Sequence, residues 1–287
     1  MRPFRFGVSA AAGSSRSEWQ ALARRVEDAG FSTLLVSDHL GSQLSPMPAM
    51  VSAAEATTSL RVGTLVLAND FRQPAVLAAE AATVDLLTDG RLELGIGAGS
   101  ERSDHDTLGL SWAAGPRVDR LEKTVALLRS RVPSVPLLVG GNGRRVLSLA
   151  ARSADIVGLS GLQVATDGIR VGRPFTGAGT ADTVAFVRSQ AGARYSSLEL
   201  NALVQAVSPT LDPLRGHFGT LSDGDVLDSP YVLVGEPSAM VDALHERRER
   251  FGISYYVVFA ARGGLDGFEP VLSRLAGSLP GSGSASG

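Results

Sequence analysis

The chain has 287 residues, of which 44% are hydrophobic, and its formal net charge is −2 at pH 7. A single α/β barrel commonly takes about 250 residues, so this length suits one. The chain has no cysteine, which excludes disulfides, thiol nucleophiles and cysteine-ligated metals. No basic cluster points to nucleic acid, and no apolar run approaches the roughly 20 residues of a membrane helix. We therefore expect a cytoplasmic protein with neither nucleic acid nor membrane as a partner.

Short β-branched runs alternate with longer stretches of helical periodicity, a pattern that predicts parallel strands joined by helices. In the first part of the chain, strands are predicted at residues 4–8, 33–37, 61–67 and 92–96. The helices between them are predicted at residues 17–29, 48–57 and 74–87. Ser17 fits the N-cap of the first helix, and Pro74 fits the first turn of the third, where a missing N–H is tolerated.

The same alternation continues through the second part of the chain. Strands are predicted at residues 136–139, 155–159, 198–207 and 255–259. Helices are predicted at residues 117–129, 144–152, 181–190, 238–251 and 268–275. The pattern is blurred in the glycine-rich residues 161–179, and residues 208–231 are predicted to form a longer connection with one short helix.

These elements make about eight strand–helix units, the number that closes a (β/α)₈ TIM barrel. The alternative is a doubly wound open sheet, which places its glycine-rich phosphate turn after the first strand. Here the glycine-rich turns follow the fourth and fifth strands. We predict an α/β TIM barrel that forms one domain over residues 1–279. The Gly/Ser-rich tail, residues 280–287, is predicted to be disordered.

The two glycine-rich turns are candidate ligand sites, because the carboxyl ends of barrel strands form the active-site face. Gly141, Asn142 and Gly143 follow the fifth strand and open a helix, whose unpaired N–H groups suit a phosphate. Ser160, at the end of the sixth strand, would add a hydroxyl to the same phosphate. Ala98, Gly99 and Ser100 follow the fourth strand and allow the backbone to approach a flat ring or a phosphate. The alternative for both turns is that glycine serves the turn geometry alone.

Asp38 and His39 directly follow the second predicted strand. His39 is the only one of the four histidines at a predicted strand end. Histidine titrates near neutral pH and can pass or stabilise a proton beside a redox ring. Asp38 would orient His39 or bind a cofactor hydroxyl, so both are candidate catalytic residues. The alternative is an aspartate that ends the strand and a histidine in a solvated loop. His105 is predicted in a loop that borders the pocket.

No metal site is expected, since the chain has no His-x-His or His-Glu-x-x-His spacing. A hydrolase is disfavoured as well, because no Gly-x-Ser-x-Gly motif follows a strand.

Several segments of the chain resemble the luciferase-like monooxygenase superfamily. These are Leu-Arg-Val-Gly-Thr at residues 60–64, the run from Phe71 to Ala78, the run from Asp85 to Gly97, and the Gly-Gly-Asn-Gly turn with residues 150–155. The resemblance extends over about residues 5–275. It implies a TIM barrel that binds a flavin-type cofactor at the carboxyl ends of its strands.

Val-Ser-Asp-His at residues 36–39 resembles the members that use the deazaflavin coenzyme F420, whereas FMN-dependent members more often have Glu-His-His there. The resemblance implies that Asp38 contacts the cofactor and that His39 lies near the ring face where hydride is exchanged. It also implies a cis peptide bond between Leu65 and Val66, behind the ring. The residues that match the phosphate-binding positions of the family are Gly141, Asn142, Gly143 and Ser160.

Two features depart from the deazaflavin-dependent sugar-phosphate dehydrogenases that the chain resembles in outline. Ser100 stands where those enzymes carry an acidic Glu, although Glu101 is adjacent. The connection at residues 130–136 is also shorter than the hairpin-like insert of relatives. The substrate and the direction of electron transfer are therefore left open.

We predict an F420-dependent oxidoreductase that transfers a hydride between the deazaflavin and a small organic substrate. An FMN-dependent monooxygenase on the same barrel is the first alternative. The second is a cofactor-free barrel with a binding or accessory role. By analogy with relatives, the chain is expected to form a homodimer.

Overall fold

The structure is a computed structural model that describes residues 2–10, 12–41, 44–165, 168–261 and 263–276. The predicted tail at residues 280–287 lies outside the described residues. In chain order the elements are β1 (Arg5–Ser9), α1 (Arg16–Asp28), β2 (Thr33–Val36), α2 (Pro46–Glu55), β3 (Arg61–Thr64), β4 (Leu67–Ala68), α3 (Pro74–Leu87), β5 (Leu92–Gly97), α4 (Arg102–Thr107), α5 (Ala114–Arg131), β6 (Leu137–Gly140), α6 (Arg144–Ser153), β7 (Ile156–Leu159), β8 (Leu162–Ala165), β9 (Gly168–Val171), α7 (Gly177–Ala191), β10 (Glu199–Leu203), β11 (Ala206–Ser208), α8 (Asp223–Asp228), β12 (Val232–Val234), α9 (Pro237–Phe251), β13 (Ile253–Phe259) and α10 (Gly264–Ala276).

The main sheet is a closed barrel. Its nine segments follow the order β3, β2, β1, β13, β10, β7, β6, β5 and β4, and β3 also pairs with β5. Every pairing in this sheet is parallel. Because β3 and β4 are two segments of the third strand, the nine segments make eight strands. The predicted (β/α)₈ TIM barrel is confirmed.

The third strand is interrupted, although the sequence predicts it as continuous over residues 61–67. Between its two pairing segments it has one more residue than β5, so it forms a bulge. Thr64 replaces part of the missing ladder, since its Oγ1 accepts from the backbone N of Gly95 at 2.9 Å and donates to the Gly95 carbonyl at 2.7 Å. The peptide bond between Leu65 and Val66 is cis, as the family resemblance implies.

The structure differs from the predicted elements mainly in short segments and at helix ends: the N-cap of α1 is Ser15, whose side chain accepts from the backbone N of Glu18, and not Ser17. Residues 161–179, where the pattern is blurred, contain the antiparallel hairpin of β8 and β9, and α7 begins at Gly177 instead of residue 181. The predicted strand 198–207 is divided, because β11 leaves the barrel and pairs with β12 in a separate two-stranded sheet. Helix α4 was not predicted. A helix of six residues is too short to show a clear helical period.

Apolar side chains fill two layers, because successive strand residues point to opposite faces of the barrel wall. Leu34 of β2 belongs to the cluster between the strands and the surrounding helices. Its neighbour Leu35 packs inside the barrel with Leu138 and Tyr255. Among the described helices, none combines the length and the apolar character needed to cross a bilayer.

Candidate functional site

A cavity of about 750 Å³ opens at the carboxyl ends of the barrel strands. Every residue that the sequence predicts for the site lies on its wall: Asp38, His39, Leu65, Val66, Ala98, Gly99, Ser100, Gly141, Asn142, Gly143 and Ser160. The fold therefore brings these residues together from the ends of five consecutive strands. What binds among them stays a prediction.

A row of glycines forms the floor of the cavity. Gly97, Gly140 and Gly158 lie directly opposite one another on β5, β6 and β7, and all three line the cavity. A Cβ atom on Gly97 would lie 2.9 Å from the Gly140 carbonyl oxygen and 2.9 Å from a methyl carbon of Val66. The space at the floor exists because these positions carry no side chain. Asn201 on β10 continues the row beyond Gly158.

Asp38 is 7% exposed and fixes the end of β2 to the third strand. Arg72 donates to both of its carboxylate oxygens, from Nη1 at 2.6 Å and from Nη2 at 3.1 Å, and the backbone N of Ala68 donates at 3.0 Å. Both oxygens are therefore already hydrogen-bonded within the protein. Oδ2 accepts two of these bonds and Oδ1 accepts one, so Oδ1 keeps a second lone pair for a donor from a ligand. Arg72 lies 34 residues from its partner, and no sequence pattern indicates a role for it.

His39 is held by Asp104, a residue that no sequence motif indicates. Its Nδ1 lies 2.9 Å from Oδ2 of Asp104, whose Oδ1 accepts from the backbone N of Leu40 at 3.3 Å. An ionised carboxylate only accepts, so Nδ1 carries the proton of this bond. The neutral ring then has its lone pair on Nε2, the nitrogen that is free to act as a base. Asp104 lies on the short helix α4, which follows the glycine turn of β5. This position after the turn is the one sequence signal that points to Asp104.

Buried side chains from α4 and α5 support the glycine turn after β5. Arg117 donates from Nη1 to the carbonyls of Ala98 at 2.9 Å and Gly99 at 3.0 Å, and its guanidinium stacks 3.7 Å from the Trp112 ring centre. Burial lowers the pKa of Arg117, an effect that the charge of a nearby carboxylate opposes. His105, predicted in a loop, lies on α4, is fully buried and meets Trp112 edge to face. Gly99 has φ +88°, and a Cβ there would lie 2.6 Å from the His105 ring.

The turn after β6 forms the side of the cavity where a phosphate was predicted. Gly141 has φ +151°, a conformation that L side chains rarely adopt. Asn142 donates from Nδ2 to Ser160 Oγ at 2.9 Å and to the Leu162 carbonyl, which ties this turn to the end of β7. Gly143 is the N-cap of α6 and offers no side-chain cap, so the first amides of α6 are left for another acceptor.

The opposite side of the cavity is uncharged in the residues that the structure describes. It is lined from β1, β10, β13 and the segment after β10 by Ser9, Asn201, Leu203, Gln205 and Phe259. Val164 and Ile169 of the β8–β9 hairpin, which face each other across its strands, also line the cavity and are each 45% exposed. In the described part of the chain, no group of three or more histidines and carboxylates could hold a metal ion.

Comparison with known proteins supports the family resemblance. Residues 1–134 match the family model of the luciferase-like monooxygenases. The predicted resemblance to this superfamily is confirmed.

Among curated proteins, the F420-dependent glucose-6-phosphate dehydrogenase of Beutenbergia cavernae is 36% identical over an alignment of 163 residues that covers 45% of this chain and 48% of the relative. The chain thus spans about half the length of the curated relatives that it matches.

Two solved structures are similar over nearly the whole chain. An F420-dependent secondary alcohol dehydrogenase, in complex with an F420–acetone adduct, has a TM-score of 0.75 at 17% identity, with 96% of this chain and 99% of that chain covered. A riboflavin lyase, with modified FMN and riboflavin, has a TM-score of 0.72 at 16% identity, with 96% and 92% covered. At these identities the likeness shows the fold that the three proteins share.

Proposed function

We propose that this luciferase-like barrel is an enzyme, an oxidoreductase that transfers a hydride between coenzyme F420 and a small organic substrate. The observation that carries the proposal is that Asp38, His39 and both glycine turns line one cavity of about 750 Å³. That volume suits a ligand pocket, which commonly has about 300–1,000 Å³. The names of the similar proteins support the choice of F420, since two of them are described as F420-dependent.

The residues of the cavity fit a flat ring with an anionic tail. A Cβ atom on Gly97, Gly140 or Gly158 would come within 3.0 Å of a neighbouring atom, so only glycine leaves this floor open. Gly141, Asn142, Gly143 and Ser160 would hold the phosphate of the tail at the start of α6. Asp38, Leu65 and Val66, with Ala98, Gly99 and Ser100, would flank the ring. Bound coenzyme F420 would supply a ring carbon that gives or takes a hydride.

His39 is the residue that would handle the accompanying proton. With Nδ1 held by Asp104, the proton is accepted or returned at Nε2. Arg117 keeps the carbonyls of the β5 turn in place. Ser100 has no acidic group; although Glu101 also lines the cavity, His39 is the proton carrier that we assign, because its ring is oriented by Asp104.

The experiment that tests the proposal is a titration of the purified chain with F420 and with FMN, followed by absorbance and fluorescence. We expect saturable binding of F420, with FMN at least tenfold weaker. Gly97→Ala is expected to weaken F420 binding at least tenfold, because its new methyl group would clash with the Gly140 carbonyl and Val66. Gly115→Ala is the matched control, since a Cβ there meets no atom within 4 Å.

The same titration separates the alternatives. Tight FMN binding without F420 binding would replace the proposal by an FMN-dependent monooxygenase, a reading that the neighbour with modified FMN favours. Binding of neither cofactor would leave a barrel with an accessory role.

A second copy of the chain is proposed as a partner on the outer face of α3. Exposed residues of this helix form a stripe without charge: Ala75, Val76, Ala79, Ala82, Thr83 and Leu86. Leu86 is 76% exposed and Val76 52%. A helix that is apolar on its outer side as well as its inner side is typical of a buried helix. Two identical uncharged faces can pair about a twofold axis without repulsion.

We also propose that residues 1–279 form one domain and that the protein works in the cytoplasm. The absence of cysteine is in keeping with a reducing compartment.

A further inference from the structure

A buried amide oxygen lies at the end of the glycine floor. Asn201 is 0% exposed, lies level with Gly158 on one side and Tyr255 on the other, and lines the cavity. Its Nδ2 donates to the Tyr255 carbonyl at 3.3 Å. Because a carbonyl can only accept, this bond fixes which end of the amide is the nitrogen. The oxygen, Oδ1, has no hydrogen-bond partner among the described residues.

Buried acceptors without a partner are unfavourable and uncommon, so this one requires an explanation. His105 and Arg117 also line the cavity with an unpaired buried nitrogen. However, His105 Nε2 lies 3.9 Å from the carboxylate of Asp70, and Arg117 is stacked on Trp112. Since Arg117 Nε can only donate and His105 Nε2 faces a carboxylate, Asn201 Oδ1 is the buried acceptor, among the described residues of the cavity, that a ligand would satisfy.

The residues around Asn201 point to a neutral ligand group. Gln205, the other amide of this wall, already donates from Nε2 to the Leu203 carbonyl at 3.2 Å. A phosphate or carboxylate offers only acceptors and would repel the amide oxygen. An ammonium group would lose its hydration for a single neutral partner, which is costly. A hydroxyl or N–H group can donate to Oδ1 while its apolar remainder lies over the glycine floor.

We propose that Asn201 Oδ1 is the acceptor of a substrate subsite that takes a neutral O–H or N–H donor, such as the hydroxyl of an alcohol. The subsite rejects anionic groups, so the phosphate of a compound such as glucose 6-phosphate finds no match there. The inference rests on the proposed function, because it locates the substrate of that reaction at the end of the floor away from the glycine turns.

The test compares cyclohexanol with methoxycyclohexane, its methyl ether, which cannot donate. Binding to the full-length chain is measured by NMR, with and without F420. We expect the alcohol to bind about threefold to tenfold more tightly than the ether, the effect of one net hydrogen bond. In Asn201→Leu this ratio is expected to fall to about one. Gln205→Leu removes an amide that is only half-buried and whose oxygen is not an unpaired buried acceptor, so this variant is expected to keep the preference.

A second measurement does not depend on the folding of a variant. In the wild-type chain, the side-chain amide signals of Asn201 are expected to shift with the alcohol and not with the ether. Equal affinity for the two compounds in the wild type, or an unchanged ratio in a folded Asn201→Leu protein, would overturn the subsite.

Failure of the subsite and failure of the proposed function give different results. F420 binding without any preference for the alcohol removes the subsite and leaves the cofactor assignment intact. A preference that depends on Asn201 in a chain that does not bind F420 keeps the subsite and removes the cofactor.

Discussion

The pairing of His39 with Asp104 decides which nitrogen of the ring faces the cavity. The two residues are 65 positions apart, and Asp104 is 8% exposed, so its carboxylate is held in place by the fold. A carboxylate at Nδ1 selects the neutral tautomer that has its lone pair on Nε2. Asp104 is therefore a positioning residue: it acts on the reaction through His39.

Asp104→Asn is expected to disturb this selection, because an amide can donate to Nδ1 as well as accept from it. We expect a mixture of His39 tautomers in the ¹⁵N spectrum and a loss of kcat on the order of tenfold or more, with little change in F420 affinity. The spectrum is assigned with a His39→Asn variant.

Asp106→Asn is the matched control for this experiment. Asp106 lies on the same helix, but its side chain is 60% exposed and is paired with Arg102. An Asp104→Asn protein with the wild-type His39 spectrum would contradict the positioning role.

Single residues differ in how far the sequence predicts them. Asp38, His39 and the glycine turns were predicted, since the ends of parallel barrel strands must meet at one face. Asp104 and Asn201 were not predicted. Their roles depend on contacts with residues that are far away in the sequence but close in the fold. A single sequence carries no signal for such pairs. The resemblance supplied the cis bond at Leu65–Val66, which spacing and periodicity do not indicate.

At the scale of elements, the long helices and the barrel strands were predicted, whereas a short helix and a hairpin were missed. Helices α5 and α9, with 18 and 15 residues, show a clear helical period and were predicted. Helix α4 and the β8–β9 hairpin have six and four residues per element and were missed. Both missed elements line the cavity, so the sequence predicted the frame of the site better than its walls.

The junction between α1 and β3 depends on one carboxylate. Oε1 of Glu27, in the last turn of α1, accepts from the backbone N of Thr58 at 3.0 Å, of Ser59 at 2.6 Å and of Leu60 at 2.8 Å. Burial favours the neutral acid, but the hydrogen bonds from Ser59, Thr58 and Leu60 outweigh it and lower the pKa of Glu27 from 4.5 to about 2. The folded state therefore favours the ionised form.

A carboxylate whose pKa is lowered in the folded state stabilises the fold at any pH above its ordinary pKa. This contribution is lost as the pH falls through the pKa of the folded state. Glu27→Gln is expected to lower the free energy of unfolding by about 1 kcal/mol at pH 7, a figure reduced for solvent screening. The difference from wild type is expected to be complete above about pH 4.5 and to disappear near pH 2. Denaturant unfolding between pH 2 and pH 7 measures this difference in the free energy of unfolding. Glu249→Gln, a change at an exposed residue of α9, is the control. A difference that is independent of pH would contradict the role of the charge.

At the scale of the whole molecule, the number and order of strand–helix units were enough to predict a closed barrel. Closure follows from simple rules, because each short parallel connection is right-handed and eight such units bring the last strand back to the first. Those rules do not predict which protein binds the outer surface of the barrel. It depends on which side chains of a helix stay exposed after the barrel has formed, and this is visible only in the structure.

The outer face of α3 carries the prediction at this scale. Val76 and Leu86 are largely exposed, and the stripe that joins them has no charged residue. We expect the wild type to be a dimer of about twice 29.8 kDa by light scattering after gel filtration. A stable interface buries about 800 Å² on each partner, so a charge in its middle is costly.

The double variant Val76→Arg with Leu86→Arg is therefore expected to elute as a monomer that keeps its helical circular dichroism. Leu227→Arg is the control, because Leu227 is a similarly exposed leucine, at 47%, on the separate helix α8. A monomeric wild type would remove the second copy as the partner of α3. A monomeric Leu227→Arg protein would move the interface to α8.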